Sequence, residues 1–281
     1  MEALKRVLAI HDISCFGKCS LTVALPILSA CGVEVTALPT AVLSTHTGGF
    51  TGFTYRDLTQ DIMPIVNHWK TLDIGFEAMY SGFLGSFEQI DMVKEIFDTF
   101  RKDGGITLVD PVMADNGNLY SIYTMEMAKG MAGLCAKADI VVPNITEACF
   151  MLDKPYKEEY TQEYIEDLLH GLLELGPKQA VLTGVSFEND KLGAACLQRG
   201  GQVEYYFQTR IEGYYHGTGD VYGSALLGAL LNGKMLPEAM AIAVDFTCGC
   251  IERTRQAKTD VRFGVDFERG LPQLQNRIGL A

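Results

Sequence analysis

Short apolar runs rich in strand-forming residues recur along the chain at positions 6–10, 33–38, 78–81, 106–109, 140–142 and 180–182. Between them the apolar residues fall at helical spacing over 21–30, 58–69, 89–100, 125–136 and 164–175. Strands that are apolar throughout are buried on both faces, and helices alternating with them act as crossovers, so the pattern predicts a mainly parallel central sheet. The expected fold is a doubly wound α/β domain with helices on both faces. After residue 182 the pattern changes: 193–197 and 203–207 are spaced like a hairpin around Arg199-Gly200-Gly201-Gln202. Two helices follow at 220–231 and 237–253, the first almost wholly apolar and therefore expected to be buried. The charged stretch 154–159 reads as a solvated loop leading into the next helix. No linker or repeat interrupts the chain, so residues 1–281 are expected to form a single domain.

Composition narrows the partners. The net charge of −12, from 23 basic and 35 acidic residues, argues against nucleic acid or an anionic membrane surface. It says nothing about small anions, which are bound by local N–H groups. The longest apolar stretches, such as 225–231, are far shorter than the ~18–20 residues of a membrane span, and 1–10 carries no signal-peptide core. A cytoplasmic protein is expected. The eight cysteines are spread over a long, well-cored chain, which favours reduced buried thiols over disulfides. The close pairs Cys15/Cys19 and Cys248/Cys250 lack zinc-site spacing.

Open α/β sheets bind ligands outside the carboxyl ends of their parallel strands, which makes the loops after each apolar run the candidates. In the first, His11-Asp12-Ile13-Ser14, Asp12 and Ser14 suit a polar substrate, or else belong to a turn with Ser20 as helix cap. Ser44-Thr45-His46-Thr47-Gly48-Gly49 gathers hydroxyls, an imidazole and a flexible backbone, as a mobile substrate loop would. In Ser81-Gly82-Phe83-Leu84-Gly85, Phe83 either joins the core or stacks on a flat ring. Asp110, Asp115, Asn144 and Glu147 follow the next two strands and offer the hard oxygens that Mg²⁺ with a triphosphate requires. Asn144-x-x-Glu147 also has capping-box spacing, and Asp115 alone would be an exposed loop charge. Thr183 adds a hydroxyl after the sixth run. There is no Walker loop, no GxGxxG opening the first helix and no GxSxG elbow.

The most informative segment is His216-Gly217-Thr218-Gly219-Asp220, directly before the buried helical run. A glycine turn feeding a helix N-terminus presents unpaired N–H groups and a positive dipole end, a ready anion site. Asp220 beside it is either a base or an N-cap. With the carboxylates after the fourth and fifth strands, phosphoryl transfer is the better account.

In order and spacing these motifs resemble the ribokinase-like superfamily and, within it, the pyridoxal (vitamin B6) kinases. The likeness runs from Ala9-Ile10 through the His46-Thr47-Gly48 loop, Ser81 to Gly85, Asp110-Pro111-Val112-Met113 and Pro143-Asn144-x-x-Glu147 to Gly217-Thr218-Gly219-Asp220. It implies ATP-dependent phosphorylation of the 5′-hydroxymethyl group of pyridoxal, pyridoxamine or pyridoxine, with no separate lid domain. Asp220 would take the hydroxyl proton, and Gly217, Thr218 and Gly219 would form the anion hole. Mg²⁺ would lie near Asp110 and Glu147, with Asn144, Asp115 and Thr183 along the nucleotide. The ring would sit among Asp12, Val42, His46, Thr47 and Phe83. A monovalent cation such as K⁺ and a homodimer also go with the resemblance.

The chain departs from that pattern in two places. B6 kinases usually carry Gln-Ser-His where this chain has His11-Asp12-Ile13, and many carry Tyr in place of Phe83. The Asp12 charge would bias selection toward pyridoxamine or another cationic substrate. A hydroxymethylpyrimidine kinase of the same fold is the nearest alternative, although such enzymes more often have Cys where this chain has Asp220. A sugar kinase and a non-catalytic nucleotide-binding regulatory protein are the more distant ones.

Overall fold

A computed structural model describes residues 3–121 and 123–280. The first strands are β1 (Arg6–Phe16), β2 (Glu34–Thr45), β3 (Tyr55–Asp57), β4 (Phe76–Ser81) and β5 (Arg101–Val109). A small ribbon, β6 (Ala114–Asp115) with β7 (Asn118–Leu119), precedes β8 (Ile140–Val141), β9 (Gln179–Val185), β10 (Lys191–Gln198) and β11 (Glu204–Thr209). Nine strands form one sheet in the order β11-β10-β9-β8-β5-β4-β1-β2-β3. The pairs from β9 through β2 are parallel, whereas β10, β11 and β3 join antiparallel at the two edges.

Helices α1 (Leu21–Ala30), α2 (Thr59–Trp69), α3 (Phe87–Phe100), α4 (Met125–Cys135) and α5 (Ile145–Met151) come from the first half of the chain. They are followed by α6 (Gln162–Leu175), α7 (Thr218–Leu231), α8 (Leu236–Ala257) and α9 (Leu271–Ile278). Side-chain alternation divides the core into two. Leu8, Ile10, Met79, Val109 and Leu182 face α2–α6, whereas Val7, Tyr80, Leu108 and Val181 face α1, α7, α8 and α9. Helix starts follow local chemistry: Ser86, Thr124 and Thr161 cap α3, α4 and α6 through their hydroxyls.

The expected α/β architecture and the 193–207 hairpin are present. Strands β1 and β2, however, are longer than the apolar runs suggested. After a bulge between His11 and Ile13, β1 and β2 stay paired from Ile13–Val42 to Phe16–Thr45. Asp12, Ser14 and Val42 are therefore strand residues, which corrects the reading of 11–14 as a loop. Pairing on either side of the bulge keeps Asp12 and Ser14 extended although both are polar. The edge strand β3, exposed throughout, and α9 carried no strong apolar signal. The sheet order reverses at β1, which lies between β2 and β4, and the mouth of a doubly wound sheet opens at such a switch point.

Candidate active site

The helix α7 supplies the centre of the site. Gly217 caps it in the left-handed region at φ 75°, and a Cβ there would lie 2.1 Å from the Lys18 carbonyl oxygen, so only glycine fits this turn. The turn leaves the first amides of α7 without intrahelical partners, aimed at the carboxyl edge of the sheet. An ideal Cβ on Gly219 would sit 3.7 Å from Asp110 Oδ2, which brings the anion loop over the end of β5. Asp220 lies in the first turn, and burial pushes its carboxyl up to about 7. The Ser20 amide opposes that rise and the Asp12 charge adds to it.

Asp12 is almost fully buried on β1. Its two oxygens accept hydrogen bonds from the Ser20 hydroxyl at 2.5 Å and the Ser14 hydroxyl at 3.2 Å. Burial raises its pKa, and the two hydroxyls and His46 counter that. Ser20 itself holds φ 56°, an uncommon conformation for a non-glycine residue, and does so between the two acids.

Asp110, at the end of β5, is pushed well above the carboxylate range by burial and by the charges of Glu147 and Asp220. Glu147 is buried in the first turn of α5, and burial carries it to about 8 although the amides of Asn144 and Met113 donate to it at 2.8 and 3.1 Å. Asn144 completes the capping box through Oδ1, and its Nδ2 donates to the Ala114 carbonyl at 2.8 Å. Its side chain is thus committed within the protein. Asp115, on β6, receives the Tyr214 hydroxyl at 3.3 Å, and the Thr183 hydroxyl at the end of β9 reaches the Pro143 carbonyl at 3.4 Å.

Val42 lies on β2, paired with Ile13 of β1. Phe83 follows β4 with its ring edge-on to Tyr123 at 5.9 Å. Thr47 is exposed. His46 has both nitrogens engaged: Nδ1 accepts from the Gly48 amide at 3.1 Å, and Nε2 therefore carries the proton donated to the Arg262 carbonyl at 2.6 Å. His46 can meet a substrate only with its ring. His11, which opens the same sequence motif, is fully buried edge-on to Tyr80, and desolvation drives its pKa down to about 3.

Strand order converts this list into a layout. Thr183 on β9, Asn144 after β8, Asp110 just after β5, Phe83 after β4 and Asp12 on β1 follow one another along a single sheet edge, with the start of α7 beside Asp110. No cluster of three or more His, Cys, Asp or Glu suited to a metal occurs among the described residues. Asp110, which accepts no side-chain hydrogen bond among them, nevertheless fits Mg²⁺ brought by a nucleotide, because that ion takes one or two carboxylates and completes its shell with phosphate and water.

Sequence reasoning missed Tyr55, whose hydroxyl stands 2.9 Å from an ideal Cβ on Gly85, and Tyr214. It also missed a groove of about 750 Å³ between the end of β11 and α8, lined by Gln208, Arg210, Glu212, Cys248 and Glu252. Tyr55, Arg210, Glu212 and Tyr214 sit in polar segments without periodicity, and Cys248 and Glu252 lie in the expected 237–253 helix, whose pattern marks a core face and not a groove.

The family described as phosphomethylpyrimidine kinase matches residues 25–263. The chain belongs to that family. Among solved structures it is similar to a Bacteroides thetaiotaomicron protein named as a phosphomethylpyrimidine kinase, in an orthorhombic form with pyridoxal. That likeness has a TM-score of 0.93 and 38% identity, over 97% of this chain and 96% of that one. The pyridoxal kinase of Lactobacillus plantarum aligns at 31% identity with TM-score 0.90, covering 98% of each chain. A pyridoxal kinase from Pasteurella multocida is 27% identical over 84% of both sequences. The resemblance to ribokinase-like B6 kinases read from the motifs therefore holds, and the chain is a kinase of that fold.

Proposed function

We propose that this kinase transfers the γ-phosphoryl group of ATP to the 5′-hydroxymethyl group of a B6 vitamer. The observation that carries the reading is the Asp220 carboxyl, raised to about 7 at the mouth of an anion loop that rests against Asp110. A base with that affinity for a proton is matched to neutral pH. Asp220 accepts the hydroxyl proton as the oxygen attacks, and the amides at 217–219 stabilise the charge on the transferring group.

The flat ring lies over β1, β2 and β4, held by Asp12, Val42, Phe83 and the 46–47 loop. The triphosphate runs past Asp110 toward Asp115 and Thr183. The base of the nucleotide occupies the groove beside Cys248 and Glu252, lined on its other side by residues 208–212. Mg²⁺ would be held at Asp110 with Glu147 behind it, supplying neutralisation of phosphate charge. The monovalent cation, the homodimer and the cytoplasmic location that accompany the resemblance belong to the same proposal; among the described residues no helix is long and apolar enough to cross a membrane.

Hydroxymethylpyrimidine, also a flat ring carrying a hydroxymethyl group, is the second acceptor, supported by the phosphomethylpyrimidine kinase family and by a relative named as a hydroxymethylpyrimidine/phosphomethylpyrimidine kinase. An ATP-consumption assay against pyridoxal, pyridoxamine, pyridoxine, hydroxymethylpyrimidine and ribose separates these readings. A B6 vitamer is expected to give the highest kcat/KM, with ribose inert. The pyrimidine in first place would move the assignment, and turnover of none of the five would overturn it.

A further inference from the structure

His216 has no role in the chemistry above, yet its ring fills the space between the two loops that must meet for transfer. It lies on the bare backbone of the acceptor loop: a Cβ on Gly48 would fall 2.4 Å from His216 Nδ1, and one on Gly49 would fall 3.5 Å from Nε2. The His46 ring is 5.0 Å away on one side, and the Tyr214 ring is 5.0 Å away edge-on at 79° on another. His46 is tied to the 260s by its bond to the Arg262 carbonyl, and Tyr214 is tied to Asp115 through its hydroxyl. His216 is also joined by a single peptide bond to Gly217, the turn that aims the anion loop.

We infer that His216 is a positioning residue that couples the acceptor loop to the anion loop, so that binding of the vitamer and binding of ATP strengthen each other. The inference rests on the proposed B6 kinase function. A ring packed against bare glycine backbone transmits displacement because the glycines have no side chain that could rotate away and the His46 and Tyr214 rings flank the imidazole, and packed contacts shift between discrete arrangements. Seating a vitamer presses 46–49 against His216 and fixes the following residue, Gly217. Gly48 is outside the left-handed region, so the obstacle to a side chain there is the pair of imidazoles and chiefly His216.

The test measures the Kd of a non-hydrolysable ATP analogue with and without saturating pyridoxal, alongside vitamer phosphorylation and melting temperature. In the wild-type protein pyridoxal is expected to tighten the analogue roughly 5- to 150-fold, the usual span of coupling between sites. His216→Ala should bring that ratio toward one while leaving the analogue's affinity without pyridoxal unchanged. His216→Phe, which keeps a ring, should retain it. Gly48→Ala should lose coupling in the wild-type background and cost little more once His216 is alanine, as two residues sharing one contact do. A ratio unchanged in His216→Ala, or absent in the wild-type protein, overturns the inference. A wild-type protein that phosphorylates no vitamer fails the functional reading instead, which the activity arm shows separately.

Discussion

At the residue scale, three neighbouring carboxyls, Asp220, Asp110 and Glu147, bind protons more tightly than carboxylates in water, each chiefly because burial penalises its charge. For the proposed base this fixes the direction of the pH dependence. Protonated Asp220 cannot accept the hydroxyl proton, so kcat/KM should rise with pH and level off above an apparent pKa near 7 rather than near 4. Part of that elevation comes from the Asp12 charge, so Asp12→Asn should move the rising limb to lower pH. A pH–rate profile of both proteins checks this; an unmoved or upward-moved limb contradicts it. Asp12, Phe83 and Asp110 stood out in the sequence because each follows an apolar run. Residues whose atoms are consumed by the protein were harder to rank. His46 and Asn144 are of the right type and in the right loops, but sequence does not reveal that a glycine amide and carbonyl groups already occupy their polar atoms.

At the scale of elements, the turn into α7 is the most constrained piece of backbone in the site. Gly217→Ala forces an L-residue into a left-handed conformation, costing about 1–2 kcal/mol, and sets its Cβ against the Lys18 carbonyl. The anion loop must shift to relieve that contact. Because a misplacement of about 1 Å costs on the order of 100-fold in rate, steady-state kinetics should show kcat reduced by about that factor with a lowered melting temperature. Normal kcat in the variant would mean the loop's geometry is not what stabilises transfer. The parallel strands and crossover helices were legible because burial on both faces writes continuous apolar runs. The extension of β1 and β2 was not, since polar residues such as Asp12, Ser14, Ser44 and Thr45 interrupt the apolar pattern there and the two segments are kept extended by pairing with each other. The short β3 and the β6–β7 ribbon likewise depend on partners far away in sequence.

At the scale of the molecule, sheet order explains how separated motifs become one site: the proposed acceptor residues stand over β1, β2 and β4, the proposed nucleotide residues over β5, β8 and β9, and α7 meets them at Asp110. Gathering acids there has a stability consequence. A carboxyl whose folded pKa is raised favours folding at low pH, and that contribution is lost as pH climbs through the raised value. The nucleotide-free protein should therefore lose stability between about pH 5 and 9. Asp110→Asn, which removes a buried charge, should raise the melting temperature at about pH 8.5 by roughly 2–4 °C per kcal/mol recovered, and make no difference near pH 4 while abolishing activity. Thermal scans across pH would refute this if the variant were less stable at high pH. The central claim is that Asp220 takes the proton from a hydroxymethyl group as ATP donates its phosphoryl. The direct measurement is the rate of B6 vitamer phosphorylation by Asp220→Asn, with ATP affinity measured in parallel. The account predicts kcat lower by at least ~100-fold with ATP still bound; a variant that phosphorylates the vitamer at the wild-type rate would contradict it.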